Sequence, residues 1–131
     1  MRGIDGREVA AVFVGGFVGA LARLGLIEAL PPGSLEWPWA TFLANVIGAF
    51  ALGWLATRLQ ERLPVSAYRR PLLGTGFCGA LTTFSTMQLE IVRMLEGGDL
   101  ALAFAYTATS VLAGFAAIVL GTGLARRARL A

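Results

Sequence analysis

Three stretches of this sequence contain no charged residue: Trp37 to Thr57, Pro71 to Leu89 and Leu100 to Ala125. Each reaches the roughly 20 residues that a helix needs to cross a hydrocarbon core about 30 Å thick. A fourth run, Val9 to Ala22, is shorter, but its apolar pattern resumes past Arg23 to about Leu30. Lipid offers no partner to an open peptide group, so each run is expected to close its hydrogen bonds on itself as a helix. Composition agrees: 56% of residues are hydrophobic, 15% are charged and the mean hydropathy is +0.71, too apolar for a soluble domain of 131 residues to bury. The expected protein is an all-α, multi-pass membrane protein of the cell (plasma or inner) membrane. It forms a single domain over residues 1–131, with four transmembrane helices at about 8–30, 38–60, 71–95 and 100–126.

The connections are short: "PPGSLE" at 31–36, the basic loop "RLQERLPVSAYRR" at 58–70 and the glycine turn "EGGD" at 96–99. Pro38 and Pro71 each open a span, where a missing N–H costs nothing. The first span imitates a secretion signal, with "ALA" at 20–22 and Arg2 and Arg7 before it. Asp5 and Glu8 spoil the basic flank, however, and a retained helix is expected.

All eleven basic residues are arginine. With four spans, Arg2, Arg7, Arg58, Arg62, Arg69, Arg70, Arg126, Arg127 and Arg129 fall on one side, and Arg23 and Arg93 on or toward the other, which places both termini in the cytoplasm. These arginines border spans rather than forming a folded basic surface, so nucleic acid is not an expected partner. The chain has one cysteine, Cys78, no histidine and no carboxylate cluster. A catalytic metal centre and a nucleophile–base pair are both out of reach, and no enzyme is expected.

Function must then lie with the polar residues inside the spans. Thr41 and Asn45 are four apart on the second helix, and Gly48 continues their face; Tyr106, Ser110 and Gly114 repeat the pattern on the fourth. Such stripes face protein or water, not lipid. Any one hydroxyl can simply join helices, but Asn45 carries two donors and an acceptor that all need partners. In the third span, "GTGFCGALTTFSTM" at 74–87 sets Gly74, Gly76 and Gly79 among apolar residues. Glycine permits angles that a helix forbids, and carbonyls freed by unwinding are natural ligands for a small cation. The alternative is an intact helix with a glycine-rich packing face; Thr82, Thr83, Ser85 and Thr86, clustered just after, favour a break. A lining of neutral donors and ring edges, Asn45, Thr41, Ser110, Tyr106 and Phe84, suits a small anion that must both enter and leave.

"GFCGALTTFSTM", "ATFLANVIGAF", "GALARLGL" and "YTATS" together make the chain resemble, over nearly its whole length, the Fluc (CrcB) family of fluoride channels. The resemblance implies passive fluoride export by an antiparallel dimer with two pores. It also implies a structural sodium ion at the dimer interface, bound by backbone carbonyls of the two broken third helices. Carried over by position, Gly79 and Thr82 would offer those carbonyls, and Asn45 and Phe84 would line the pore. Tyr106, Ser110, Thr41, Thr83 and Thr86 would form its polar wall, and Arg23 and Glu90 would stand at the vestibule. Two positions depart from the family pattern: Ala80 replaces the second glycine of a common pair, and Met87 stands where a second pore phenylalanine is usual, as a thioether filling that volume.

Dual insertion is easiest when arginines are balanced between the two sides, and here they are not. A homodimer is the first expectation and a heterodimer with an oppositely oriented paralogue the second. Two other readings compete. A small multidrug-type proton-coupled transporter needs a deep carboxylate, and the first helix has none between Glu8 and Glu28. A non-transporting assembly subunit would use the small residues of "GGFVGA" at 15–20 as a contact stripe.

Overall fold

The structure is a computed structural model and describes residues 3–31, 36–61 and 68–128. The described residues are helical apart from short connections, with α1 at Gly6–Ala29 and α2 at Trp39–Glu61. A π-helical segment at Arg70–Cys78 continues into the single turn α3 at Gly79–Leu81; α4 is Phe84–Glu96 and α5 is Leu100–Arg127. Residues 62–67 of the loop at 58–70 and 32–35 of the turn at 31–36, with Arg2 and Arg129, lie outside the described residues.

Local chemistry fixes the helix ends. The Asp5 side chain accepts the Arg7 N–H at 2.9 Å and caps α1. Thr83 caps α4 and Asp99 caps α5, the latter accepting the Leu102 N–H at 2.9 Å. Between α4 and α5 the chain reverses at Gly98, whose φ of 79° is the left-handed conformation that favours glycine. Three helices, Gly6–Ala29, Trp39–Gln60 and Leu100–Arg127, are long and apolar enough to cross a membrane. The third hydrophobic run is instead divided into pieces over Arg70–Glu96.

The π segment and α3 stop at Leu81, and Thr82 (φ −78°, ψ 151°) and Thr83 (φ −148°, ψ 115°) are extended before α4 begins. These two residues lie near the midpoint of Arg70–Glu96. The interruption does not use the glycines as hinges, contrary to the sequence expectation. Gly79 is right-handed helical, at φ −63° and ψ −37°, and extended backbone is open to threonine. The glycines serve contact instead. A Cβ on Gly76 would meet the Val12 carbonyl at 2.7 Å, and one on Gly15 or Gly19 would overlap the backbone of Leu72 or Phe77. The "GGFVGA" stripe is therefore filled from within the same chain, by the π segment lying on α1.

The remaining helices pair in the same manner. Trp37 packs on Tyr106 just before α2 begins, and a dozen or so residues on, Gly53 of α2 faces Ile118 of α5 while Gly121 faces the backbone of Phe50 and Trp54. The helices α2 and α5 thus run parallel at close range. Thr57 donates to the Gly53 carbonyl at 2.8 Å, and Thr122 donates to the same carbonyl from α5 at 3.4 Å. Near the other end of this pair, Met87, Met94, Ala103 and Tyr106 form a buried cluster against Trp37, Phe42, Ile91 and Leu102. Much of the exterior is apolar: Phe13, Phe17, Phe104 and Phe115 are 60–77% exposed. A chain with such an exterior needs lipid or another chain around it.

Candidate functional site

The polar face of α2 is laid along the interrupted third span. Gly48 faces the Thr82 side chain, where any Cβ would overlap the Thr82 methyl. Asn45 meets Thr83, and Thr41 meets Glu90. The order 48–45–41 against 82–83–90 sets the two elements antiparallel, with the stripe spanning the break.

Asn45 answers the backbone that the break exposes. The Thr83 N–H donates to Asn45 Oδ1 at 2.7 Å, and Asn45 Nδ2 donates to the Thr83 carbonyl at 3.1 Å. One side-chain amide thus does for an extended residue what a neighbouring strand does in a sheet. Among the described residues its second N–H and second lone pair have no partner. In an unbroken helix the Thr83 N–H would bond to the Gly79 carbonyl and the Thr86 N–H to the Thr82 carbonyl. The first goes to Asn45 Oδ1 and the second to Thr83 Oγ1, at 3.2 Å. The carbonyls of Gly79 and Thr82 therefore lose their helical donors. The Thr82 hydroxyl and N–H both turn back to the Cys78 carbonyl, at 2.9 and 3.0 Å. Thr83 Oγ1, besides capping α4, donates to Thr86 Oγ1 at 3.0 Å.

A second node forms about Glu90. Thr41 Oγ1 donates to Glu90 Oε1 and Tyr106 Oη to Glu90 Oε2, each at 2.7 Å. Thr41 and Tyr106 are buried, and Glu90 is half-buried. One carboxylate joins α2, α4 and α5 through two charge-assisted bonds, which are stronger than neutral ones. Trp37 packs edge-on against Tyr106, ring centroids 5.3 Å apart, and against Phe42 at 5.5 Å.

The expected site residues do not all converge. Thr41, Asn45, Thr83, Thr86, Glu90 and Tyr106 form the two nodes. Ser110, one turn along α5 from Tyr106, has a buried Oγ with no partner among the described residues. Phe84 points outward at 72% exposure, and Met87, three residues on, is buried in the cluster beside Tyr106. Arg23 is half-buried on α1, four residues past the Gly19 contact. Glu90, expected only at a vestibule, is a hub. Its signal in the sequence is the acid that ends the charge-free run, inside the helix expected at 71–95. The Gly53–Gly121 packing is absent from the sequence expectations, and its signal is a glycine within each of two apolar runs. No group of three or more His, Cys, Asp or Glu that could hold a metal occurs among the described residues.

Residues 10–122 match the family model described as CrcB-like protein, Camphor Resistance (CrcB). A protein of Mycobacterium bovis named fluoride-specific ion channel FluC 1 is 56% identical over 126 residues, covering 96% of both chains. The fluoride-specific ion channel FluC of Francisella tularensis subsp. mediasiatica is 41% identical, covering 84% of this chain and 88% of its own. That of Methanopyrus kandleri is 40% identical, covering 93% and 92%. These relatives carry the name of a channel, not of an enzyme. With its family model matched across nearly all of the apolar sequence and such identity over whole chains, this protein belongs to the CrcB family.

Proposed function

We propose that this protein is the subunit of a fluoride-selective channel that lets fluoride leave the cytoplasm passively across the cell membrane. One observation carries the reading: a chain 56% identical to this one, matched over 96% of both lengths, is named a fluoride-specific ion channel. The geometry supports it. Asn45 keeps an N–H free beside the break, Ser110 holds a buried hydroxyl without a partner, and Phe84 offers an exposed ring. These are donors and ring edges without full positive charge, and they can replace water around a small anion without trapping it. Thr41, Thr83, Thr86, Tyr106 and Met87 complete the wall, with Glu90 and Arg23 toward its mouth.

Two copies assemble antiparallel on this reading, and a sodium ion between them is held by the Gly79 and Thr82 carbonyls of each third span. The diversion of the Thr83 and Thr86 N–H groups supports that donor set, since carbonyls in an apolar setting need another partner. A bound sodium would supply positive charge and a cross-link between the copies. The copies are identical on the first reading; the arginine imbalance favours keeping an oppositely oriented paralogue as the second.

The decisive experiment loads liposomes containing the purified protein with fluoride and follows efflux with an ion-selective electrode, using chloride as the control. Rapid fluoride efflux with chloride retained is expected. A reconstituted, folded protein that released neither ion would end the channel reading. Labelling of an added C-terminal cysteine from outside intact cells, in a Cys78→Ala background, addresses the assembly. About half the molecules react if the copies insert both ways; none react, and flux requires a second gene, if the partner is a paralogue.

A further inference from the structure

At one end of the bundle the last turns of α2 and α5 lie side by side. The helices are parallel, with Gly53 against Ile118 and Gly121 against the Trp54 backbone. The turn that carries Arg58 therefore abuts the turn that carries Arg126 and Arg127. The Arg58 guanidinium lies over the Trp54 ring, 5.1 Å from its centroid, while Arg126 and Arg127 are exposed. Among the described residues none of the three is paired with a carboxylate. One or two turns back on the same helices, Leu52, Leu120 and Leu124 are 44–60% exposed.

Arginines in a last helical turn complement the negative end of the helix dipole. That accounts for a cation on each helix, but not for three arginines, none paired with a carboxylate among the described residues, on adjoining turns beside exposed leucines. Guanidinium recognises phosphate through paired N–H donors, and a cation resting on an indole face is placed at the boundary between apolar and polar surroundings. The occupant that matches both halves of the surface is an amphiphile with an anionic phosphate head.

We propose that the C-terminal ends of α2 and α5 form a site for an anionic phospholipid. Arg58, Arg126 and Arg127 take the phosphate headgroup, and the acyl chains lie along Leu120 and Leu124. Basic residues at a membrane surface attract anionic lipid additively. Three of them on two adjoining helix ends would convert that attraction into a preferred position. The site is independent of what the channel conducts, and its test does not involve transport.

The full-length protein in neutral detergent is titrated with phosphatidylglycerol or with phosphatidylcholine of the same acyl chains, and bound lipid is counted by native mass spectrometry. Phosphatidylglycerol should bind saturably at a concentration at least about tenfold lower, a threshold that corresponds to one decade in affinity. The combined Arg58→Gln, Arg126→Gln and Arg127→Gln variant should lose the preference, whereas Arg93→Gln, at the opposite end, should keep it. Equal binding of the two lipids overturns the proposal, as does a preference that survives the triple variant. Displacement by millimolar inorganic phosphate also overturns it, in favour of a site for the free anion. Should the triple variant fail to fold, wild-type protein in rising sodium chloride gives the same reading. The preference must collapse as headgroup contacts are screened, and a salt-independent preference counts against the site.

Discussion

α2 and α5 carry the same pattern, two polar residues four apart and then a glycine about a turn on, and the structure treats the two stripes differently. On α2 every position is engaged by the third span: Thr41 by Glu90, Asn45 by the Thr83 backbone and Gly48 by the Thr82 side chain. Of the α5 stripe only Tyr106 is bonded among the described residues; the Ser110 hydroxyl is buried with no partner among them, and nothing lies within 4 Å of a Cβ at Gly114. Spacing thus identifies a polar face without saying what covers it. The α2 stripe is structural first, holding an interruption open, and the α5 stripe keeps a hydroxyl in reserve.

The largest test of that contrast is Asn45→Ala. It removes both bonds to the Thr83 backbone and leaves a donor and an acceptor unsatisfied, at about 1–3 kcal/mol for each group. The unfolding temperature in detergent should fall further than for Thr41→Val, Tyr106→Phe or Gly48→Ala, and fluoride flux should fall to the leak of empty liposomes. Asn45→Asp keeps the acceptor for the Thr83 N–H but, when ionised, faces the Thr83 carbonyl with a second negative oxygen, so it should not rescue. Unaltered stability in Asn45→Ala would mean that the amide does not hold the break.

Next in size is the pair Thr41→Val and Tyr106→Phe. Each deletes one hydrogen bond to the Glu90 carboxylate, about 1.5–3 kcal/mol when the acceptor is charged. Because both act through one side chain, their effects should not add. A double-mutant cycle is expected to show a coupling of about 0.5 kcal/mol or more, which Glu90→Ala should abolish. Strict additivity would separate α2 from α5 and remove Glu90 as their link.

Gly48→Ala and Gly114→Ala compare like with like. At Gly48 the new methyl overlaps Thr82 Cγ2, and overpacking of this kind costs about 1–3 kcal/mol. At Gly114 the same methyl meets open space, and alanine in a helix interior should stabilise by about 0.5–1 kcal/mol relative to glycine. Opposite signs in thermal unfolding are expected. The same sign at both positions would show that Gly114 is covered in the assembled protein as Gly48 is in the single chain.

These cases mark what the sequence could disclose. Helices expected at 8–30, 38–60 and 100–126 are found at Gly6–Ala29, Trp39–Glu61 and Leu100–Arg127, because charge-free length and capping are local properties. The polar stripes are legible for the same reason. Their partners are not: that Asn45 meets the backbone of Thr83, thirty-eight residues away, is decided by packing. Nor does glycine spacing distinguish freedom from proximity. Gly76 has the spacing of a hinge and is a contact with α1, while the extended residues are threonines. Phe84 and Met87, three apart and close in kind, end in opposite environments, one exposed and one buried, because α4 turns one face to Tyr106 and the other away.

Ser110→Ala carries the smallest effect on stability and the sharpest reading of the contrast. Its Oγ is buried and makes no bond among the described residues, so deleting it takes away a desolvated hydroxyl rather than a partner. Alanine also favours the helix by a few tenths of a kcal/mol, about 0.5 at most. Stability should therefore stay level or rise slightly, unlike the loss expected at Tyr106 one turn before. On the proposed function this hydroxyl meets the passing ion, and fluoride flux through Ser110→Ala should then be slower than through the wild type. If stability instead fell as far as for Tyr106→Phe, Ser110 would have a partner in the assembled protein and the α5 stripe would be as structural as that of α2. If stability held and flux were unchanged, the hydroxyl would lie off the ion's path, and Asn45 beside the break would be the donor left to meet it.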